Sequence, residues 1–174
     1  VALALLNVDG IEVDLVNVIG ETALHRASHQ GMLAVVKKLI EKRADVNKQN
    51  EDGYTALFIA CINEHTHVAL ALLEREDINV NLANNNDNTA LYWASRRGML
   101  KVVEKLIAKD ADVNKENKDD NTALIIACEF EHADVALALL KHKDIKVDLV
   151  NDQLGDAMHY ASKNNMTEVV DRLR

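Results

Sequence analysis

The chain has 174 residues, 48% of them hydrophobic but only 3% aromatic, so its core has to be built from Leu, Val, Ile and Ala. A net charge of −8 disfavours nucleic acid and anionic membrane surfaces as partners. No stretch approaches the roughly 18 apolar residues of a membrane span.

The chain opens with Val1–Leu6, apolar but lacking the basic flank and cleavage site of a signal peptide. The same residues recur at Val68–Leu73 and Val135–Leu140, with offsets of 67 and 67. Val1–Leu6 is therefore predicted to be the second helix of an incomplete leading unit. Thr22-Ala23-Leu24-His25-Arg26-Ala27 starts the next helix, with Thr22 as its N-cap. Leu24 and Ala27, spaced i, i+3, are predicted to face neighbouring units. Gly31 supplies a turn that favours positive φ. A second helix follows, with an apolar stripe at Val35-Val36 and Leu39-Ile40. Ala44-Asp45-Val46-Asn47 and a polar stretch with an Asp52-Gly53 turn then lead to the next copy.

That copy is Thr55-Ala56-Leu57-Phe58-Ile59-Ala60, followed by Thr89-Ala90-Leu91-Tyr92-Trp93-Ala94, Thr122-Ala123-Leu124-Ile125-Ile126-Ala127 and a divergent Asp156-Ala157-Met158-His159-Tyr160-Ala161. The spacings are 33, 34, 33 and 34 residues, the mark of a stacked array in which each unit packs only on its neighbours. Gly98 repeats Gly31, whereas Glu64, Glu131 and Asn165 replace it, giving turns strained by roughly 0.5–1 kcal/mol or shaped differently. The runs Asn84–Asn88 and Lys118–Asn121 occupy the place of the Asp-Gly turn. Asparagine's tolerance of positive φ is the expected reason for them.

These residues resemble the ankyrin repeat family, whose signature is Thr-Pro-Leu-His-x-Ala, with Ala in place of Pro in all five copies. The resemblance implies an all-α ankyrin-repeat solenoid of stacked antiparallel helix pairs with projecting β-hairpin-like fingers. We expect one array over 1–174, with full repeats at 18–50, 51–84, 85–117 and 118–151 and partial ones at 1–17 and 152–174. The apolar start, without a polar cap, suggests a piece of a longer array. In the family, the His matching His25 and His159 bonds backbone around the Thr turn.

The resemblance also implies a non-catalytic scaffold that binds a protein partner along a concave face of finger tips and first helices. On that face we single out Tyr54, Trp93, Arg96, Arg97 and Phe130, with Glu51, Asp52, Lys118 and Asp119 from the fingers. Trp, Tyr and Arg are the residues that dominate binding hot spots. The stretches Leu39–Asn47 and Leu106–Asn114 resemble sites of asparaginyl hydroxylases, which makes Asn47 and Asn114 candidate modification positions. Those asparagines also have a plain role in bonding the finger backbone. The alternatives are a passive spacer in a longer array or a metal- or modification-dependent module.

No catalytic constellation is visible, and no enzyme, metal or cofactor is expected. Ser28, Ser95 and Ser162 follow the signature Ala, where a small packed residue is needed. Cys61 and Cys128 lie two units apart, roughly 20 Å if helices pack at the usual spacing, too far for a disulfide. They are expected to be free, buried thiols, in keeping with a monomeric cytoplasmic protein. His25 with His29 (i, i+4) and the His65, His67 pair lack further ligands for a zinc site. The latter pair and His29 are expected to be solvated. Asn117-Lys118-Asp119-Asp120 lacks the Gly and Glu of a calcium loop.

Overall fold

A computed structural model describes residues 10–174, and the expected helix Val1–Leu6 lies outside them. Ten helices follow in five pairs: α1 Ala23–His29 with α2 Leu33–Glu41, α3 Ala56–Ile62 with α4 Thr66–Leu73, α5 Ala90–Arg96 with α6 Leu100–Ile107, α7 Ala123–Glu129 with α8 Ala133–Leu139, and α9 Ala157–Lys163 with α10 Thr167–Leu173. Helices of seven to nine residues are too short to persist alone in water. Here each is held at its start and along its buried face.

The start is held by the repeated cap. The Oγ atoms of Thr22, Thr55, Thr89 and Thr122 accept from the N–H three residues on at 3.5, 3.2, 3.3 and 3.2 Å, and Asp156 Oδ1 does the same for His159 at 2.6 Å. The buried face is the predicted one. Odd-numbered helices pack in one row and even-numbered helices in a second. Leu24, Leu57, Leu91 and Leu124 lie in the core, and the small side chains of Ala27, Ala60, Ala94, Ala127 and Ala161 let adjacent helices approach, all at most 3% exposed. The chain is an all-α solenoid. Cys61 and Cys128 are free and buried, and burial pushes both thiols up to about 12. Ser28 and Ser95 occupy the equivalent site and are buried without a hydrogen-bond partner, whereas Ser162 is exposed.

The fingers correct the expected role of asparagine. The residue with positive φ in each finger is Gly20, Gly53, Asp87, Asp120 or Leu154, never an asparagine. Asparagine instead knots the turn. Oδ1 of Asn17, Asn50, Asn84, Asn117 and Asn151 accepts two backbone N–H groups, two and four residues on, at 2.8–3.2 Å. Neighbouring fingers are joined by one backbone bond each: Glu51 N–H to Ile19, Asn85 to Asp52, Lys118 to Asn86 and Asp152 to Asp119, at 3.0–3.2 Å.

A second amide series runs on the outer loops, where the finger role expected of Asn47 and Asn114 also needs correction. Asn47 donates to the Asp77 carbonyl (2.7 Å) and accepts from Asn79 N–H (2.8 Å), both in the next unit. Asn81 does the same with Asp110 and Asp112, and Asn114 with Asp144 and Lys146. Each amide uses its donor and its acceptor across one junction.

Gly31 and Gly98 have a reason beyond φ. A Cβ on Gly31 would lie 2.8 Å from the His65 ring, and one on Gly98 2.6 Å from the His132 ring. His65 is therefore not the solvated residue expected from its place in a turn. Its Nε2–H donates to the His29 carbonyl at 3.0 Å, and His132 donates to the Arg96 carbonyl at 3.0 Å. At Glu64, Glu131 and Asn165, which replace the glycine, the backbone keeps the same left-handed φ of 54–62°. Of the two shapes open to those turns, the strained one is adopted.

Candidate partner-binding face

The first helices carry the residues singled out above. Trp93 and Arg96 are i, i+3 on α5, and Arg97 is its C-cap. Phe130 occupies the equivalent C-cap of α7. Stacking in register brings them together. Tyr54 lies flat on Phe58 (4.8 Å, 12°), Phe58 meets Trp93 edge-on (6.3 Å), and Tyr92 meets Trp93 edge-on (5.8 Å). The Arg96 guanidinium lies 5.3 Å from the Trp93 ring centre and 4.2 Å from that of Phe130, so it is held between the aromatics of two units. Arg97 lies 5.6 Å from Trp93 and pairs with Glu64 of the preceding unit at 3.4 Å. Cation–π contacts of this kind are worth about 0.5–2 kcal/mol.

One band thus crosses three units through Tyr54, Phe58, Trp93, Arg96 and Phe130. Trp93 is half-buried and Phe130 is exposed. Glu51, Asp52, Lys118 and Asp119 sit exposed on the fingers of the flanking units. Burial pushes the Tyr92 hydroxyl above its ordinary value, more than Arg96 lowers it, and the charges of Glu129 and Asp119 add to the rise. Asn47 and Asn114 stand apart from this band, on the outer loops.

Phe58, fully buried within the band, and Glu64, paired with Arg97, join these residues and are not among those the sequence singles out. Phe58 stands where the signature has histidine. An aromatic ring at a position whose normal work is a backbone bond is the signal that could have found it. His25 shows that normal work. Its Nδ1 accepts from Thr22 N–H at 3.1 Å and its Nε2–H donates to the Tyr54 carbonyl at 2.9 Å. His159, by contrast, packs its ring on Tyr160. Among the described residues no group of three His, Cys, Asp or Glu could hold a metal. None of the described helices is long and apolar enough to cross a membrane.

Comparison with known proteins agrees with this architecture. The family model described as "Ankyrin repeats (3 copies)" matches residues 24–117 and 110–174. The chain is 41% identical over 86 residues to a probable E3 ubiquitin-protein ligase, XBOS33, of Oryza sativa subsp. japonica, covering 49% of this chain and 16% of that protein. It is 41% identical over 66 residues to the ankyrin repeat-containing protein ITN1 of Arabidopsis thaliana, covering 37% and 11%. It is 39% identical over 56 residues to the human Notch-regulated ankyrin repeat-containing protein, covering 32% and 49%. The chain therefore spans half or less of the length of these relatives. It belongs to the ankyrin repeat family, whose repeats are typically non-enzymatic and generally serve as protein–protein interaction modules.

Proposed function

We propose that this chain is a non-catalytic protein-binding module that holds one partner along the first-helix face, centred on Trp93, Arg96 and Phe130. The carrying observation is the band itself. Aromatics are few in this chain, yet rings from three units converge with Arg96 and Arg97 in one band, from which Phe130 and Arg97 stand exposed and Trp93 and Arg96 half-exposed above the buried Phe58. Such residues, clustered centrally and partly desolvated, carry most binding energy in known interfaces. The acidic fingers on either side supply a polar rim.

The test is affinity capture from cytosolic extract with the intact chain beside Arg96→Ala/Arg97→Ala. The expected result is a partner retained by the intact chain and lost by the double variant, with helicity and melting unchanged. Identical captures would remove the face from the interaction. Empty captures from both would favour a spacer in a longer array.

A further inference from the structure

We infer that the occupant of this face is an extended acidic-centred peptide: one Glu or Asp side chain seated on Arg96, with Lys or Arg about three residues away on each side. The inference rests on the protein-binding reading above and names the partner's chemistry.

Apart from the Tyr92 hydroxyl beside Arg96, the centre of the band is rich in donors and poor in acceptors. Arg96 and Arg97 present only donors, as does the Trp93 indole. Trp93 Nε1 is buried and has no acceptor among the described residues. Arg97 has Glu64, but no carboxylate among the described residues lies within ion-pair distance of Arg96. Arg96 is also fixed in place. Its guanidinium lies between the rings of Trp93 and Phe130, and the His132 imidazole holds its backbone carbonyl at 3.0 Å. A guanidinium without a carboxylate partner has donors to spare, and its planar fork matches a carboxylate through two parallel bonds.

Apart from Lys118 on the following finger, the charges flanking the band on the two neighbouring units have the opposite sign. Glu51 and Asp52 stand on the finger of the preceding unit, and Asp119 and Glu129 belong to the following one. A complementary ligand therefore reads basic, acidic, basic along the stack. Packed helices lie about 8–10 Å apart and an extended chain advances about 3.3 Å per residue, which sets the three-residue spacing. The acidic setting in a chain of net charge −8 also selects a single negative charge over a phosphate dianion.

The experiment is panning of phage-displayed random dodecapeptides on the intact chain. Selected sequences are then synthesised without tryptophan and titrated against fluorescence of Trp93, the one tryptophan in the chain. The expected consensus is one Glu or Asp flanked by Lys or Arg. Glu→Gln in the peptide and Arg96→Lys in the chain should each weaken binding about tenfold or more, the scale of a charge-assisted bidentate contact. Circular dichroism checks that Arg96→Lys remains folded, and Lys141→Ala on the outer row should leave binding unchanged. A consensus without an acid, or a Glu→Gln peptide that binds equally, overturns this inference while leaving the protein-binding reading intact. A phosphoserine peptide that binds more tightly than its glutamate counterpart overturns the choice of a single charge. Selected peptides whose binding is indifferent to every change on this face overturn both.

Discussion

Replacing Asn117 by Ala should be among the most damaging single changes on the finger side. Asn117 is buried, its Oδ1 accepts from Asp119 N–H (3.0 Å) and Asn121 N–H (2.9 Å), and its Nδ2 donates to Asn88 Oδ1 at 2.8 Å. Alanine removes all three bonds and leaves the Asn88 oxygen buried without its partner. At about 0.5–1.5 kcal/mol net per bond, the loss is about 2–4 kcal/mol. Asn17→Ala is the control. Asn17 makes the same two turn bonds but is exposed, so water can replace them, and the expected loss is about 1 kcal/mol or less. The assay is urea unfolding followed by far-UV circular dichroism, with Asn88→Ala and the Asn88→Ala/Asn117→Ala pair completing a double-mutant cycle. The cycle should return a coupling of about 1 kcal/mol for the side-chain bond. Equal losses at Asn17 and Asn117, or zero coupling, would refute the view that these amides tie units together.

Further expectations follow from the same geometry. Gly98→Ala should cost at least about 1 kcal/mol from its φ of +63° and from the His132 ring 2.6 Å from the new Cβ; His132→Ala in the same chain should recover part of that loss. Additive losses in the denaturation cycle would show that the ring and the glycine are not coupled. Leu154 sits at φ 60° on an exposed finger tip where other units have Gly or Asp, so Leu154→Gly should raise the melting temperature by removing about 1 kcal/mol of strain. A lower melting temperature would contradict that. Burial holds His25 below its ordinary value despite opposing contributions from the Tyr54 carbonyl and Glu21, so the neutral ring belongs to the folded state. Its stabilising contribution should be complete above the unfolded value of about 6.5 and be lost as pH falls below it toward the folded value. Denaturation midpoints across that window should fall less steeply for His25→Gln; parallel profiles would exclude His25 as the cause. The buried thiols of Cys61 and Cys128, raised to about 12, should resist a thiol-disulfide reagent until the chain is unfolded, and rapid labelling under native conditions would contradict their placement.

What could be read from sequence was what each unit states locally and repeats. Thr122 before Ala123-Leu124 marks a cap and a core face within five residues, and the period of 33 or 34 says that the same statement is made again. The grouping of Trp93 with Arg96 needed only helical spacing. Phe130 over Arg96 needed the further knowledge that residues one period apart lie side by side. The roles of the asparagines were misread because their partners are remote or unmarked. Asn47 bonds the backbone of Asp77 and Asn79, and a carbonyl or N–H is the same for every residue type. The pairing of Gly98 with His132 was hidden for a related reason. It links a gap in one unit with a ring in the next, and either residue alone has an adequate local explanation.

The most direct test of a protein-binding first-helix face is site-directed photo-crosslinking of the captured partner. A photoreactive side chain placed at Phe130, the exposed ring of the band, should form an adduct with the partner, whereas one at Lys141, exposed beyond α8 on the other row, should not. Adducts from Lys141 with none from Phe130 would place the partner on the outer helices and contradict the account.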